Sequence, residues 1–257
     1  MKIPSATIPV YLSSVDEQRF GIRTARTTQV TLETLPVIVE FCRENEVHFL
    51  VARCSTSDLA VAQEMEQLGF LLMDTLVYYT RDLNNIPAEL IPSSPKSDHI
   101  QVRTVFPEEA EAVKRVSQRA FRDYLGHYHA DARLDSVKCD ETYADWALQS
   151  CRSKEVADEV LVALQDGGIK GFLTLQLRDP DLGEGILFGV DPETQGQGIG
   201  RLLMMHAIQW FLSRGIKQMQ ISTQIINLAS QMVWAGLGFR LSHSFYTFHK
   251  WFDETRS

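Results

Sequence analysis

The chain has 257 residues, enough for one large domain or two small ones, and its 33 acidic against 25 basic residues give a formal charge of −8. That balance argues against a broad electrostatic grip on nucleic acid or anionic lipid, so neither is expected as a partner. No apolar run approaches the roughly 20 residues of a membrane span, and Met1 to Val10 lacks a basic start followed by a long apolar stretch, so no signal peptide is expected. Cys42, Cys54, Cys139 and Cys151 are scattered with no CxxC pair. Reduced thiols in a cytoplasmic protein are the expectation.

In chain order, Phe49 to Arg53 reads as a strand, Asp58-Leu59-Ala60 as a capped helix start and Thr75 to Thr80 as a further strand. The Pro/Ser-rich stretch Ile91 to Ser97 reads as a linker, which divides the chain into residues 1–92 and 98–257. An alternating strand from His99 to Val105 follows. Pro107-Glu108-Glu109 then opens a helix to about Phe121, with proline in its first turn and acids at its positive end. Asp123 to Cys139, rich in Tyr, His, Asp and Arg, shows no period and is expected to be a long loop of functional importance. A helix is expected from about Glu141 to Arg152. A hairpin follows, Val160 to Gln165 and Gly171 to Leu177 around Asp166-Gly167-Gly168, and then a strand from Gly185 to Val190. Ile199, Leu202, Leu203, His206, Ala207, Trp210 and Phe211 recur at helical spacing up to Arg214-Gly215. Gln218 to Thr223 is a strand, Asn227 caps a helix ending by Gly236, and Arg240 to Lys250 is the closing strand. Strands alternating with helices define an α/β fold with a mixed central sheet flanked by helices.

The two halves echo each other. Leu68-Gly69-Phe70 aligns with Leu237-Gly238-Phe239, and Asp58-Leu59-Ala60 then falls on Asn227-Leu228-Ala229. The smaller N-terminal half thus looks like a partial duplication. In this register Thr27, Gln29 and Thr31 stand where Gly196, Gly198 and Gly200 stand later, so no second cofactor site is expected in the first half.

The segment Val190-Asp191-Pro192-Glu193-Thr194-Gln195-Gly196-Gln197-Gly198-Ile199-Gly200-Arg201 runs from a strand through a turn directly into the most regular helix. Alternate glycines expose consecutive N–H groups, and the helix start adds unpaired donors and about half a positive charge. That combination suits a pyrophosphate. The spacing is not G-x-G-x-x-G, and no Gly-Lys-Ser/Thr is present, so Rossmann and Walker loops fit less well.

Gln195 to Gly200 resembles the Q/R-x-x-G-x-G/A pyrophosphate loop of the GNAT acetyltransferase superfamily. Asn227-Leu228-Ala229-Ser230 through Gly238-Phe239 resembles that family's second motif. The resemblance covers about residues 99 to 250 and implies the GNAT fold with acetyl-CoA as cosubstrate. It implies cofactor contacts at Phe188, Gly189, Val190, Gln195, Gly196, Gln197, Gly198, Ile199, Gly200, Arg201, Asn227 and Ser230. It further implies that the strand ending at Val190 splays from the Gln218 strand to admit the pantetheine arm. An amide near Val190 would polarise the thioester, and the acceptor amine would attack directly. Asn227 caps its helix, hydrogen-bonds the pantetheine, or does both.

The family's proton-donating tyrosine falls here on Trp234, whose indole N–H cannot protonate a thiolate. Three roles stay open: Trp234 as core with an unassisted thiolate, another donor such as Tyr246 or His243, or a binding module without turnover.

The whole chain also resembles bacterial enzymes of the TDP-fucosamine acetyltransferase type, through Phe20-Gly21, the Leu68-Gly69-Phe70 turn, the loop from Phe121 to Tyr143 and Trp146, and Thr223-Gln224. This implies a nucleotide-linked amino-deoxysugar as the acceptor, with polysaccharide biosynthesis as the setting. Tyr124, His127, Tyr128, His129, Arg133 and Gln224 are then the substrate candidates: tyrosines to stack, histidines for hydroxyls, and Arg133 for a phosphate. His127, His129 and Asp131 could instead bind a metal, but no further ligand is spaced to complete a site, so no metal is expected. A homodimer is a further expectation.

Overall fold

In the computed structural model the described residues are 10–91, 99–122 and 124–252. The expected linker lies outside them except for Ile91, as do the N-terminal segment before Val10 and the first residue of the expected loop, Asp123. The elements in chain order are β1 (Val10–Leu12), α1 (Ser14–Phe20), β2 (Thr24–Thr27), α2 (Leu35–Glu44), β3 (Phe49–Ser55), α3 (Leu59–Gln67), β4 (Leu71–Asp82), β5 (Ile100–Thr104), α4 (Ala110–Ala120), α5 (Ser136–Arg152), β6 (Glu159–Gln165), β7 (Gly168–Leu177), β8 (Leu182–Val190), α6 (Ile199–Leu212), β9 (Gln218–Gln224), α7 (Leu228–Gly236) and β10 (Arg240–Trp251). No helix among the described residues is long and apolar enough to cross a membrane.

The chain forms two compact units. The first takes residues up to Val77, then 125–139 and the chain from His243; the second takes 78–124 and 140–242. The first unit therefore draws two segments from beyond the expected linker.

In the first unit β1 pairs antiparallel with β2, β2 runs parallel to β3, and β3 pairs antiparallel with β10 from Phe245↔Ser55 to Trp251↔Phe49. β3 is an almost unbroken apolar run because both of its faces are covered. Leu50, Ala52 and Cys54 pack under Ile38 and Cys42 of α2 and Val61 and Met65 of α3, while Phe49 and Val51 pack with Phe20, Tyr128 and Leu134.

In the second unit β5, β6, β7 and β8 form an antiparallel meander, and β8 runs parallel to β9. The β6–β7 turn is tight, with Asp166 and Gly167 both at positive φ. Leu203, Ala207 and Phe211 of α6 cover one face, beside Trp234, Leu237 and Phe239. Val113 and Val116 of α4 and Tyr143 and Ala147 of α5 cover the other.

Two expected boundaries move. The helix expected from Glu141 begins at Ser136, inside the expected loop, because the Asp135 carboxylate accepts from the amides of Val137 and Lys138 at 2.9 and 3.3 Å and so caps it. The strand expected from Gly185 begins at Leu182, where the parallel ladder with β9 starts.

The duplication is visible element by element. β3, α3 and β4 have 7, 9 and 12 residues, as do β9, α7 and β10. Asp58 caps α3 by accepting from Val61 N, and Asn227 caps α7 by accepting from Ser230 N, both at 3.3 Å. Each helix ends on a glycine at positive φ, Gly69 at +78° and Gly238 at +79°. The next residue returns to the helix in both cases, Phe70 N to Met65 O and Phe239 N to Trp234 O.

Candidate active site

The second unit contains a strand gap. β8 and β9 pair from Leu182↔Gln218 to Gly185↔Ile221, and there the ladder stops. On its other edge β8 stays with β7 through Val190, but the register shifts between Thr174↔Leu187 and Leu175↔Gly185, which leaves Ile186 as a bulge. The Thr174 hydroxyl takes the Leu187 amide at 3.0 Å and holds the bulge. Leu187 N and Asp191 N both point toward β7, the latter to Lys170 O at 2.8 Å. Amides alternate along a strand, so those of Phe188 and Val190 point the other way, to the edge that β9 has left.

At the end of β8 the chain makes a short 3-10 turn, Pro192–Thr194, capped by Asp191, whose side chain accepts from Glu193 N. Asp191 is only 2 % exposed, and Arg119 of α4 binds both it and Glu193, at 3.0 and 2.8 Å. The turn delivers the chain to Gly196 at φ +79° and Gly198 at φ +85°, the N-cap of α6. No side chain caps this helix. Its first-turn amides have no intrahelical partner, and they carry the positive end of a 14-residue dipole. Gly200 is a packing requirement, since a Cβ there would stand 2.9 Å from Cζ of Phe188. Arg201 Nη1 donates to Gly236 O at 3.3 Å, and Gln197 Oε1 accepts from Gln165 Nε2 at 2.9 Å. The Gln195 side chain reaches back to Val190 O at 3.5 Å. The structure thus gathers Phe188, Gly189, Val190 and Gln195 to Arg201 at one helix start beside one strand gap.

Across the gap, β9 leads into α7. The Asn227 side chain is engaged twice, accepting from Ser230 N and donating from Nδ2 to Thr223 Oγ1 at 3.0 Å. Its capping role is therefore present in the fold. Trp234, the catalytic candidate on α7, is core: it is 1 % exposed, and its Nε1 has no partner among the described residues. Tyr79 of β4 meets it edge-on at 5.7 Å between ring centroids.

The substrate candidates are divided. Tyr124 packs against Phe121 and Tyr143 in the second unit, and Gln224 ends β9 there, 6 % exposed. His127, Tyr128, His129 and Arg133 belong to the first unit, as does Tyr246, which pairs with Cys54 and packs near Phe248. Stacking on a ligand is not available to Tyr128, because its ring lies against Phe20 and His127 and its hydroxyl joins Asp16 and Arg26 in a buried network. Arg133 lies over Trp251 at 3.9 Å.

His127 and Asp131 both converge on His249. The Asp131 carboxylate takes His249 Nδ1 at 2.8 Å and Trp251 Nε1 at 2.9 Å, and His249 Nε2 meets His127 Nδ1 at 2.9 Å. Burial pushes His127 well below the usual imidazole range, helped by His249, Arg26, Arg53 and His129. Burial also lowers His249, with Asp131 opposing it. Burial works to raise the Asp131 carboxyl, but the bonds from His249, Trp251 and the Arg133 amide hold it below its ordinary range. Burial thus favours the neutral form of both rings, and the bonds to Asp131 favour its carboxylate form. Among the described residues no group of three or more His, Cys, Asp and Glu side chains is placed to hold a metal.

A parallel strand pair that opens past a bulge, with an uncapped glycine-rich helix start at its end and a second capped helix across it, defines the GNAT fold. Residues 118–239, which hold the whole arrangement, match the acetyltransferase (GNAT) family. The chain is 30% identical over 151 residues to a mycothiol acetyltransferase of Amycolatopsis mediterranei, covering 55% of this chain and 46% of that one. It is 26% identical over 187 residues to a mycothiol acetyltransferase of Thermomonospora curvata, covering 70% and 55%. The chain spans about half the length of the curated relatives it matches. Among solved structures, a tandem GNAT protein from the clavulanic acid biosynthesis pathway superposes with TM-score 0.65 at 16% identity, over 91% of this chain and 77% of that one. A conserved protein from Staphylococcus epidermidis gives 0.64 at 18%, over 97% and 93%. The tandem neighbour agrees with the duplication.

Proposed function

We propose that the chain is an acetyl-CoA-dependent N-acetyltransferase that moves the acetyl group to an amine of a small acceptor by direct attack. The observation that carries this reading is the β8–β9 gap with the uncapped start of α6 at its end. In it the pyrophosphate lies on the amides of Gly196 to Arg201. The pantetheine arm pairs with the free edge of β8 at Phe188 and Val190 as a short added strand. The Val190 amide faces the thioester oxygen and stabilises the charge that develops there. The acceptor nitrogen bonds to the carbonyl carbon, the C–S bond breaks, and coenzyme A leaves as a thiol or thiolate.

For the acceptor, the name shared by the relatives favours the unacetylated precursor of mycothiol over the nucleotide-linked aminosugar that the sequence resemblance implies. Tyr124 and Gln224, which share a unit with the gap, are the residues proposed to select it. A thiol-release assay with both acceptors, a polyamine, an aminoglycoside and a peptide N-terminus tests the reading. Release that depends on one amine is the expected result. Tight acetyl-CoA binding with no release from any of them would mark a binding module.

A further inference from the structure

A departing thiolate is stabilised by a hydrogen-bond donor and neutralised by an acid, and in this fold a tyrosine on the helix after the capping Asn is the residue expected to serve. Trp234 stands at that position, buried and aimed into the core. The surface that Trp234 gives up is met from the adjoining strand. Tyr79 of β4 packs edge-on against its indole and, unlike it, is only partly buried. The Tyr79 hydroxyl donates to Gln231 Oε1 at 3.2 Å, a long bond that is easily redirected. Gln231 in turn is fixed to the chain end bordering the gap, its Nε2 donating to Ile225 O at 2.8 Å, Asn227 O at 3.1 Å and Gln224 O at 3.5 Å. Those carbonyls follow β9 where it has no β8 partner. The phenol is therefore tied, through one amide, to the chain that leaves β9 beyond its last β8 partner.

We propose that Tyr79 is the proton donor to the leaving thiolate, in place of the residue at Trp234. The inference rests on the acetyl-transfer reading. As the C–S bond breaks, the electron pair stays on sulfur, the Tyr79 O–H proton passes to it, and the thiol departs. The phenolate recovers a proton from solvent, to which the acceptor nitrogen has released its own. Gln231 is a positioning residue, since it acts only through the phenol.

Calorimetry with coenzyme A and desulfo-coenzyme A, from pH 7 to 9 on wild type and Tyr79→Phe, tests this without knowledge of the acceptor. A phenol donating to sulfur favours the thiolate, so the wild-type preference for coenzyme A over the desulfo compound should rise several-fold across that range, toward the limit of about tenfold that a pKa lowered by about one unit sets. Tyr79→Phe should lose the rise and keep its affinity for the desulfo compound. A rise of equal size in both proteins, or none in the wild type, would overturn the proposal while leaving the cofactor site standing. A wild type that binds neither compound would overturn both. In turnover, Tyr79→Phe should lower kcat about 10²- to 10⁴-fold, the range for general acids, with KM for acetyl-CoA unchanged. Unchanged kcat in Tyr79→Phe would refute the assignment.

Discussion

Gly198 offers the sharpest test of the anion site, because two substitutions there separate backbone from charge. It caps α6 at φ +85°, and a Cβ added to it would meet no heavy atom within 4 Å. Gly198→Ala therefore carries only the cost of a left-handed residue, about 1–2 kcal/mol, or roughly 2–8 °C in melting temperature for a chain of this size. Gly198→Asp carries the same strain, offset by a carboxylate at a helix N-cap, where aspartate is favoured. With acetyl-CoA present, that carboxylate faces the pyrophosphate. Two unit charges about 4 Å apart near a surface repel by about 4 kcal/mol, which corresponds to about a thousandfold in Kd. Salt trims this, so a loss of about 100- to 1,000-fold is expected for Gly198→Asp, and a much smaller loss for Gly198→Ala. Calorimetry beside thermal melts measures both quantities. Gly198→Asp binding within about threefold of wild type, or Gly198→Ala losing as much as Gly198→Asp, would show that α6 does not receive the pyrophosphate.

Three further outcomes follow from the geometry. Trp234→Ala should cost about 3–5 kcal/mol, the range for emptying a buried aromatic site, read by denaturant melts, whereas Trp234→Phe should cost far less because no hydrogen bond is lost. Acetyl-CoA should bind once per chain: in the first unit Val30 N donates to Arg53 O at 2.9 Å beyond the β2–β3 ladder, closing the edge that is open in β8, so a calorimetric stoichiometry of two would contradict this. Stability should fall with acid. His127 and His249 have folded pKa values below the usual one of about 6.5, so the unfolded chain binds more protons as pH drops through that value, and the native state loses ground. Asp131 and Asp16, both held below the ordinary carboxyl range, lose their contribution at still lower pH. Denaturant midpoints at pH 7.5, 6 and 5 should descend in that order, and the first step should shrink in His249→Gln.

The parts legible in the sequence are those specified by local chemistry. The Gly196–Gly200 loop and the Asn227 cap lie within one turn of the elements they define, and the apolar period from Ile199 to Phe211 fixes both the helix and its buried face. The duplicated β3–α3–β4 unit was readable because Asp58 and Gly69 repeat the cap and the stop of α7. What escaped is long-range. Asp135 signals a helix start, but the aromatic and charged residues around it mask the period. Asp16, Arg26, Tyr128, His127 and His249 read as separate polar residues until the sheet brings them together across more than a hundred positions. Tyr79 is an ordinary alternating strand residue in the first half, and nothing local says that its ring will rest on Trp234.

The makeup of the first unit bears on how the protein is made. Among the described residues β3 finds its antiparallel partner in β10, which follows every strand of the second unit. A nascent chain can gather α2 and α3 on β3 early, but that strand keeps a bare edge until β10 leaves the ribosome. Until then Asp131 also lacks the His249 and Trp251 donors that hold it. Bare strand edges are sticky, and completion of the first unit as soon as β3 is made, the usual protection during synthesis, is not open to this chain. β3 is completed only after the strands of the second unit have been made, so a translational pause ahead of β10 should raise dependence on chaperones.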